Sequence, residues 1–432
     1  FAVNDKTVVR AGGAIFYERI ATSAIGYTTN YLTNPPDVQL SQMFYGNLST
    51  IASSGATAFP LQITPLSTDG KVPTTYNFSG GIQRELPLNI LLDVSYVGTQ
   101  SRHLVENIPF NAVPFGSAWL PENQDPTLGR PVAFDGTTTL PVNLYRPYAG
   151  YGGGNTILGG AGSSIAHYTF GGSANYNALQ ISADRRRGRL QFGATYTWSK
   201  ALGTTVGHLT DTRGANYGLL ALDRSHGLTF NYIYDIPSLA KPGTWLDTGL
   251  GRQIFDGWQL SGLTSMSVGS PLTLDYTLTQ TGNPERNRRI TGSEDMAPRV
   301  VLTCNPNLPH GERDLLRYID VSCVQPAPKG STGMDSGINT VRGPGLHTWD
   351  VSLFKKFQLG AESARYLQLR VETFNLFNHT QWGTMNSVAQ FDRTTGALLN
   401  AASPTNRDGF GALTQTRANS QRIIQLAAKI YF

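Results

Sequence analysis

Asp223 and His226, in the run Asp223-Arg-Ser-His226, set a carboxylate near an imidazole, a combination that carries general acid–base work. A hydrolase built on such a pair also needs a serine in a Gly-x-Ser-x-Gly elbow or a His-Glu-x-x-His helix, and neither accompanies it. Asn375, Asn378 and His379 offer amides and an imidazole to a sugar or a metal, yet they directly follow a strand-like run and suit a strand-end turn. Arg286, Arg288 and Arg289 present guanidinium charge to an anionic ligand, or serve as plain solvated loop residues. Arg185, Arg186, Arg187 and Arg189 flank Gly188 and read either as a site for acidic partners or as a tight polar turn. The glycine run Tyr151-Gly-Gly-Gly-Asn155 lacks the following helix that a phosphate cradle requires and reads as loop. Cys304 and Cys323 have too few potential ligands nearby for zinc. They read as a loop disulfide of an oxidising compartment, with two free thiols as the alternative. No catalytic residue, metal site or cofactor follows from these residues.

The elements that must position them are strands. Arg422-Ile-Ile-Gln-Leu-Ala-Ala-Lys-Ile-Tyr-Phe432 alternates, with Ile424, Leu426, Ala428, Ile430 and Phe432 on one face and Gln425, Lys429 and Tyr431 on the other. That period of two, ending on an aromatic, is the pattern of a closing strand with one face toward lipid. Leu426, Ala428, Ile430, Tyr431 and Phe432 are therefore read as a barrel assembly signal. The 432 residues are 40% hydrophobic, 10% aromatic and 15% charged, enough to bury a sizeable apolar surface. Gly 47 and Pro 24 disfavour a helical chain, while Tyr 19 and Phe 19 suit strands and aromatic girdles. No apolar stretch approaches the ~20 residues of a spanning helix, so spanning must be done by strands. A mean hydropathy of −0.22 is compatible with that. A net charge of +5, scattered along the chain, argues against nucleic-acid binding.

Paired alternating runs appear at 76–98, 175–200, 228–262 and 351–372, separated by polar stretches at about 18–75, 99–174, 200–225 and 267–347. With an opening strand at Thr7 to Tyr17 and the final one, the expectation is an all-β, antiparallel, up-and-down transmembrane β-barrel of roughly ten to twelve strands with long extracellular loops. Gln180, Thr195, Asn231, Arg370 and Glu372 fall on the polar face and are expected to line a lumen, with Arg370 and Glu372 placed to pair with each other or with a plug. The arginine turn at 185–189 then sits beside lipid phosphates, and Arg286, Arg288 and Arg289 in an outer loop can meet an anionic ligand or lipopolysaccharide.

Phrases along nearly the whole chain carry a resemblance: Thr7-Val-Val-Arg-Ala-Gly-Gly-Ala-Ile-Phe-Tyr17, Gln83-Arg-Glu-Leu-Pro87, Asn175-Tyr-Asn-Ala-Leu-Gln180, Tyr196-Thr-Trp-Ser-Lys-Ala-Leu202, Gly257-Trp-Gln-Leu260 and Arg370-Val-Glu-Thr-Phe-Asn-Leu-Phe-Asn-His379. In order and spacing they resemble TonB-dependent outer-membrane receptors of the Oar-like group. The resemblance implies active uptake of a bulky ligand through a barrel of about twenty-two strands filled by a plug. Residues 1–432 are then expected to be the C-terminal part of the barrel domain, with plug, TonB box and earlier strands elsewhere, and a leader upstream of Phe1 or removed. The implied partners are the inner-membrane TonB complex, outer-membrane lipid and lipopolysaccharide, and the barrel assembly machinery, in the bacterial outer membrane, with no enzymatic activity. The competing reading is a passive pore or a surface-display or adhesion barrel without TonB.

Overall fold

The computed structural model describes residues 1–18, 38–40, 58–60, 67–148, 166–204, 216–333, 336–359 and 365–432. Most of the 18–75 stretch and the Tyr151 to Asn155 glycine run lie outside them. Ten long strands follow one another: β1 (Thr7–Tyr17), β2 (Thr74–Leu86), β3 (Ile90–Pro109), β4 (Ala166–Arg185), β5 (Leu190–Thr204), β6 (His226–Asp235), β7 (Trp258–Ser267), β8 (Leu346–Gln358), β9 (Tyr366–Phe374) and β10 (Ile423–Tyr431). Each pairs antiparallel with the next. Together with the short strands Ala2–Asn4 beside β1 and Tyr217–Leu219 beside β5 they form one 12-stranded sheet in sequential order. The up-and-down order and the strand number match the expectation. Among the described residues the sheet does not close: β10 is paired only with β9, and β1 beyond Val9 only with β2.

Local chemistry explains the tight ends. The β4–β5 turn passes through Gly188 at φ 91°, a left-handed conformation that a Cβ disfavours, and its arginines flank that point. The β2–β3 turn crosses at Pro87-Leu88-Asn89 with Leu88 at φ 67° and Asn89 at φ 57°. Asn suits that region; Leu does not.

Register carries the two-faced pattern across the wall. One cross-strand row reads Tyr234, Leu260, Leu353, Val371, Leu426, all apolar, and Leu426 is 74% exposed. The opposite face has the row Gln83, Asp93, Ser182, Thr195, Thr229, Ser265, Thr348, all polar. A one-residue slip of any strand would put its apolar set among these polar groups, so burial preference on both faces holds the register.

Three expectations are corrected. The 99–174 stretch is not all loop, because β3 and β4 pair out to Pro109 and Ala166, with register shifts between Arg102 and Glu106. Both sides of that extension carry polar residues (Thr99-Gln-Ser-Arg-His103), so the alternation by which a strand is read fades where neither face meets lipid. The 267–347 stretch contains helix α2 (Asn283–Thr291) and short strand pairs, and the β6–β7 connection contains helix α1 (Gly249–Phe255). Finally, residues 375–422 form a further long connection, and it packs against 268–345.

Among the described residues that packing contains the main hydrophobic core, which lies in the connections and not in the sheet. Leu274, Tyr276, Leu278, Val300, Ile319, Val324, Val341, Met385, Ala389, Phe391 and Phe410 form one buried cluster. A parallel pair, Asp275–Leu278 with Val388–Phe391, and an antiparallel pair, Pro271–Leu272 with Val341–Arg342, frame it. Strands that turn their apolar side chains outward leave the connections to exclude water from themselves, and each large side chain so buried contributes about 1.5 to 3 kcal/mol.

Candidate functional site

The five residues expected on the polar face share it. Gln180 stands opposite Ser95 and Thr197, Thr195 opposite Ser182 and Thr229, and Asn231 opposite Gly193 and Leu263. Glu372 stands opposite Ser352 and Gln425, and Arg370 opposite Phe354 and Ala427. Arg370 does not turn to Glu372. Its Nε donates to Gln368 Oε1 at 2.8 Å and its Nη2 to the Tyr431 hydroxyl at 3.1 Å, while its guanidinium lies 5.3 Å from the Phe354 ring centroid. The expected mutual pair is replaced because Gln368 and Tyr431 sit one and two steps nearer the short-turn end, where the side chain reaches them without leaving the face.

The face is not uniformly polar. An open depression of about 630 Å³ lies over β4 to β8, where Asp184, Gln191, Asn231 and Asp350 surround Ile233 and Leu263. Gly193 makes room for it: a Cβ there would lie 2.5 Å from Asn231 Oδ1 and 3.1 Å from Asp184 Oδ1. Acceptor oxygens around an apolar floor are suited to the hydroxyls, amides and hydrocarbon of a passing solute. Alternation alone did not reveal Ile233 and Leu263, because both break it.

Over the long-loop end of this face stands the folded cap. Arg286, Arg288 and Arg289 are on α2, not on a loop, and each is turned to partners within the chain. Arg286 is 2% exposed; it donates to Asp275 Oδ1 at 3.2 Å and to the Tyr276 carbonyl, and lies 5.1 Å from the Tyr276 ring centroid. Burial pushes the Tyr276 phenol up to about 12, against the opposing Arg286 charge. Arg288 bridges to Glu294 at 2.7 Å and donates to the Gly136 carbonyl at 3.2 Å. Arg289 bridges Glu285 at 2.9 Å, one helical turn away, and Asp135 at 3.3 Å. The helix thus clamps the 110–148 connection, and the three arginines hold the cap together. Proline at the helix start, Glu285 in the first turn, Arg288 and Arg289 in the last and Gly292 at φ 66° just past its end are the local signals of it.

Longer ties complete the clamp. Arg146 grips Asp295 with both terminal nitrogens, at 2.6 and 3.1 Å, and Asp295 also accepts from Val113 N–H at 2.9 Å. Asp223, far from a catalytic pose, is fully buried: Oδ1 accepts from Ala201 N–H at 2.6 Å and Oδ2 from Arg342 Nη2 at 2.5 Å. His226 Nδ1 lies 2.8 Å from the Tyr196 hydroxyl on the apolar face. Asn375 and Asn378 sit at φ 50° and 51°, and Asn375 accepts from His379 N–H at 3.0 Å and donates to the Ser420 carbonyl at 2.6 Å, a strand-end turn. Cys304 and Cys323 form a disulfide within the cap, with Cα atoms 5.0 Å apart. Arg146, Asp295 and Arg342 went unnoticed in the sequence because their partners lie 149 and 119 residues away.

The family described as outer membrane beta barrel domain matches residues 1–425. No curated protein matches the chain by sequence. Among solved structures it is similar to the ferric-catecholate import receptor Fiu of Escherichia coli K12, at 12% identity and TM-score 0.41, over 100% of this chain and 34% of that one. It is also similar to the siderophore receptor PirA of Acinetobacter baumannii, at 10% identity and TM-score 0.41, over 100% of this chain and 39% of that one. The outer membrane transporter YddB of Escherichia coli shares 10% identity with TM-score 0.38, over 99% of this chain and 39% of that one. The chain spans between 34% and 39% of the length of these proteins.

Proposed function

Given that the chain belongs to the outer membrane beta barrel domain family and so resides in the bacterial outer membrane, we propose that it is the C-terminal part of the wall of a TonB-dependent receptor that takes up a bulky ligand. The observation that carries this reading is the pair of unpaired edges. Backbone groups left open in lipid cost several kcal/mol each, so β1 and β10 call for further strands of the same wall. A wall of about twenty-two strands, as the resemblance to TonB-dependent receptors implies, has a bore wide enough to need a plug, and a plug needs an energised partner to move it, which is the role of the TonB complex.

Ligand capture falls to the cap, and passage to the polar face that carries Gln180, Thr195, Asn231, Arg370 and Glu372. Because α2 holds its arginines in internal pairs, capture of an anion by Arg286, Arg288 or Arg289 would require the clamp to open. Arg288 and Arg289, each about a quarter exposed, are the ones within reach of solvent. The whole protein is further proposed to meet lipopolysaccharide at its outer rim and the barrel assembly machinery through Leu426, Ala428, Ile430, Tyr431 and Phe432.

Two measurements on protein extracted from native outer membranes test this. The intact mass is expected to exceed 46.8 kDa by a large margin, and planar bilayers containing the protein are expected to be electrically silent. A mass near 46.8 kDa together with a steady open-channel conductance would overturn the receptor reading in favour of a passive pore.

A further inference from the structure

In outer-membrane barrels the short turns face the periplasm, and at that end of this sheet one connection is far from short. Between β6 and β7, residues 236–257 fold into a built structure. Asp256 Oδ1 accepts from the N–H groups of Leu239 at 2.9 Å and Ala240 at 3.1 Å, and Thr248 caps α1 by accepting from Gly251 N–H at 3.0 Å. Arg252 closes an ion pair with Asp247. Ordered as it is, this backbone holds large apolar side chains out of the protein: Trp245 is 85% exposed, Leu250 75%, Leu239 51% and Ile254 47%. In water such a patch is unfavourable, so it marks a surface that meets something apolar.

Its position identifies what. Leu250 and Ile254 are one turn apart on α1. Trp258 opens β7 on the apolar face of the sheet, and its indole Nε1 donates to the Ile254 carbonyl at 2.9 Å. The C-terminal end of α1 therefore abuts the lipid-facing side of the wall, and an aromatic residue stands at the junction. Lys355 of β8 lies 5.4 Å from the Trp258 ring centroid and donates to the Asp256 carbonyl, fastening the connection to that edge. The adjacent β4–β5 turn, joined by a bond from Asp235 N–H to the Arg189 carbonyl at 2.9 Å, exposes Arg186, Arg187 and Arg189. Exposed apolar side chains at the edge of a lipid-facing wall, with cations beside them, match a phospholipid interface in both hydrophobicity and charge.

We propose that the β6–β7 connection is an interfacial anchor. Trp245, Leu250 and Ile254 enter the headgroup–acyl boundary of the periplasmic leaflet, and the arginines of the neighbouring turn lie at the level of the phosphates. The anchor fixes the depth and tilt of the wall from its inner rim.

The test uses the full-length protein purified from outer membranes and reconstituted into vesicles of phosphatidylethanolamine and phosphatidylglycerol with brominated acyl chains. Subtracting the emission of Trp245→Phe from that of the unaltered protein isolates the Trp245 signal, and bromine is expected to quench it by about half or more. A second variant, Leu250→Trp in the Trp245→Phe background, reports from α1 itself and is expected to be quenched likewise. Acrylamide access without bromine quenching at either position would overturn the proposal and assign this face to a soluble periplasmic partner.

Discussion

Replacing Arg342 with Met removes the counter-charge of a carboxylate that has no contact with water. Asp223 would keep the Ala201 N–H at 2.6 Å and the Ser225 hydroxyl at 3.3 Å and lose the Arg342 guanidinium. Breaking one side of a buried pair costs about 3 to 5 kcal/mol. The Arg342 side chain is 22% exposed, so solvent screens part of the pair and the lower end applies, about 3 kcal/mol. The loss is local, because Asp223 and Arg342 join the connection before β6 to the cap. Hydrogen exchange of the detergent-solubilised protein should then show segments 216–225 and 268–345 opening about a hundredfold more often, while the paired centres of β4 to β7 keep their protection. Adding Asp223→Asn to Arg342→Met is expected to restore roughly 2 kcal/mol, since a neutral amide needs no counter-charge and still accepts from Ala201. Exchange of the single variant within threefold of the parent, or a double variant that opens as often as the single, refutes the ion pair as the tie.

Phe410→Ala empties the centre of the cap core, and about 3 to 5 kcal/mol of cap stability should be lost, read as protease cleavage within 268–345 and 379–420 with the sheet intact. Removing the disulfide with Cys304→Ser and Cys323→Ser frees a loop of sequence separation 19, for which roughly 3 kcal/mol of chain entropy is expected to be lost; an unchanged denaturation midpoint for the cap contradicts this. Tyr276 has a folded pKa raised to about 12 against an ordinary value near 10. Its neutral form is the one favoured by folding, so its contribution is fully present below pH ~10 and is lost as pH rises toward ~12, a window over which roughly 2 to 3 kcal/mol should disappear. Tyr276→Phe should remove that alkaline transition. Deleting Phe432 is expected to lower the amount of heat-modifiable barrel in the outer membrane, and assembly at the parental level would show that the terminal strand is not the assembly signal.

The wall was legible because its chemistry is local. Each strand must turn apolar side chains one way and polar ones the other, and this alternation is visible within a short run, as in Gln368 to Glu372 or Ile424 to Phe432. Neighbours in sequence are neighbours in the sheet, so order and strand number followed from the hairpins, and so did the shared face of Gln180, Thr195, Asn231, Arg370 and Glu372. The cap was not legible in this way. Its core joins Leu274 to Phe410, and its ion pairs join Arg146 to Asp295 and Asp223 to Arg342, contacts with no period and no fixed spacing. Sequence alone therefore determined a two-faced antiparallel wall with lipid on one side. Only the tertiary structure decided that the long connections fold on a core of their own, that the arginines of α2 hold the cap together, and that the β6–β7 connection displays Trp245 and Leu250 at the rim. Lipid rewards each strand separately for its outward residues, whereas a cap that must exclude water is stabilised only when distant segments meet.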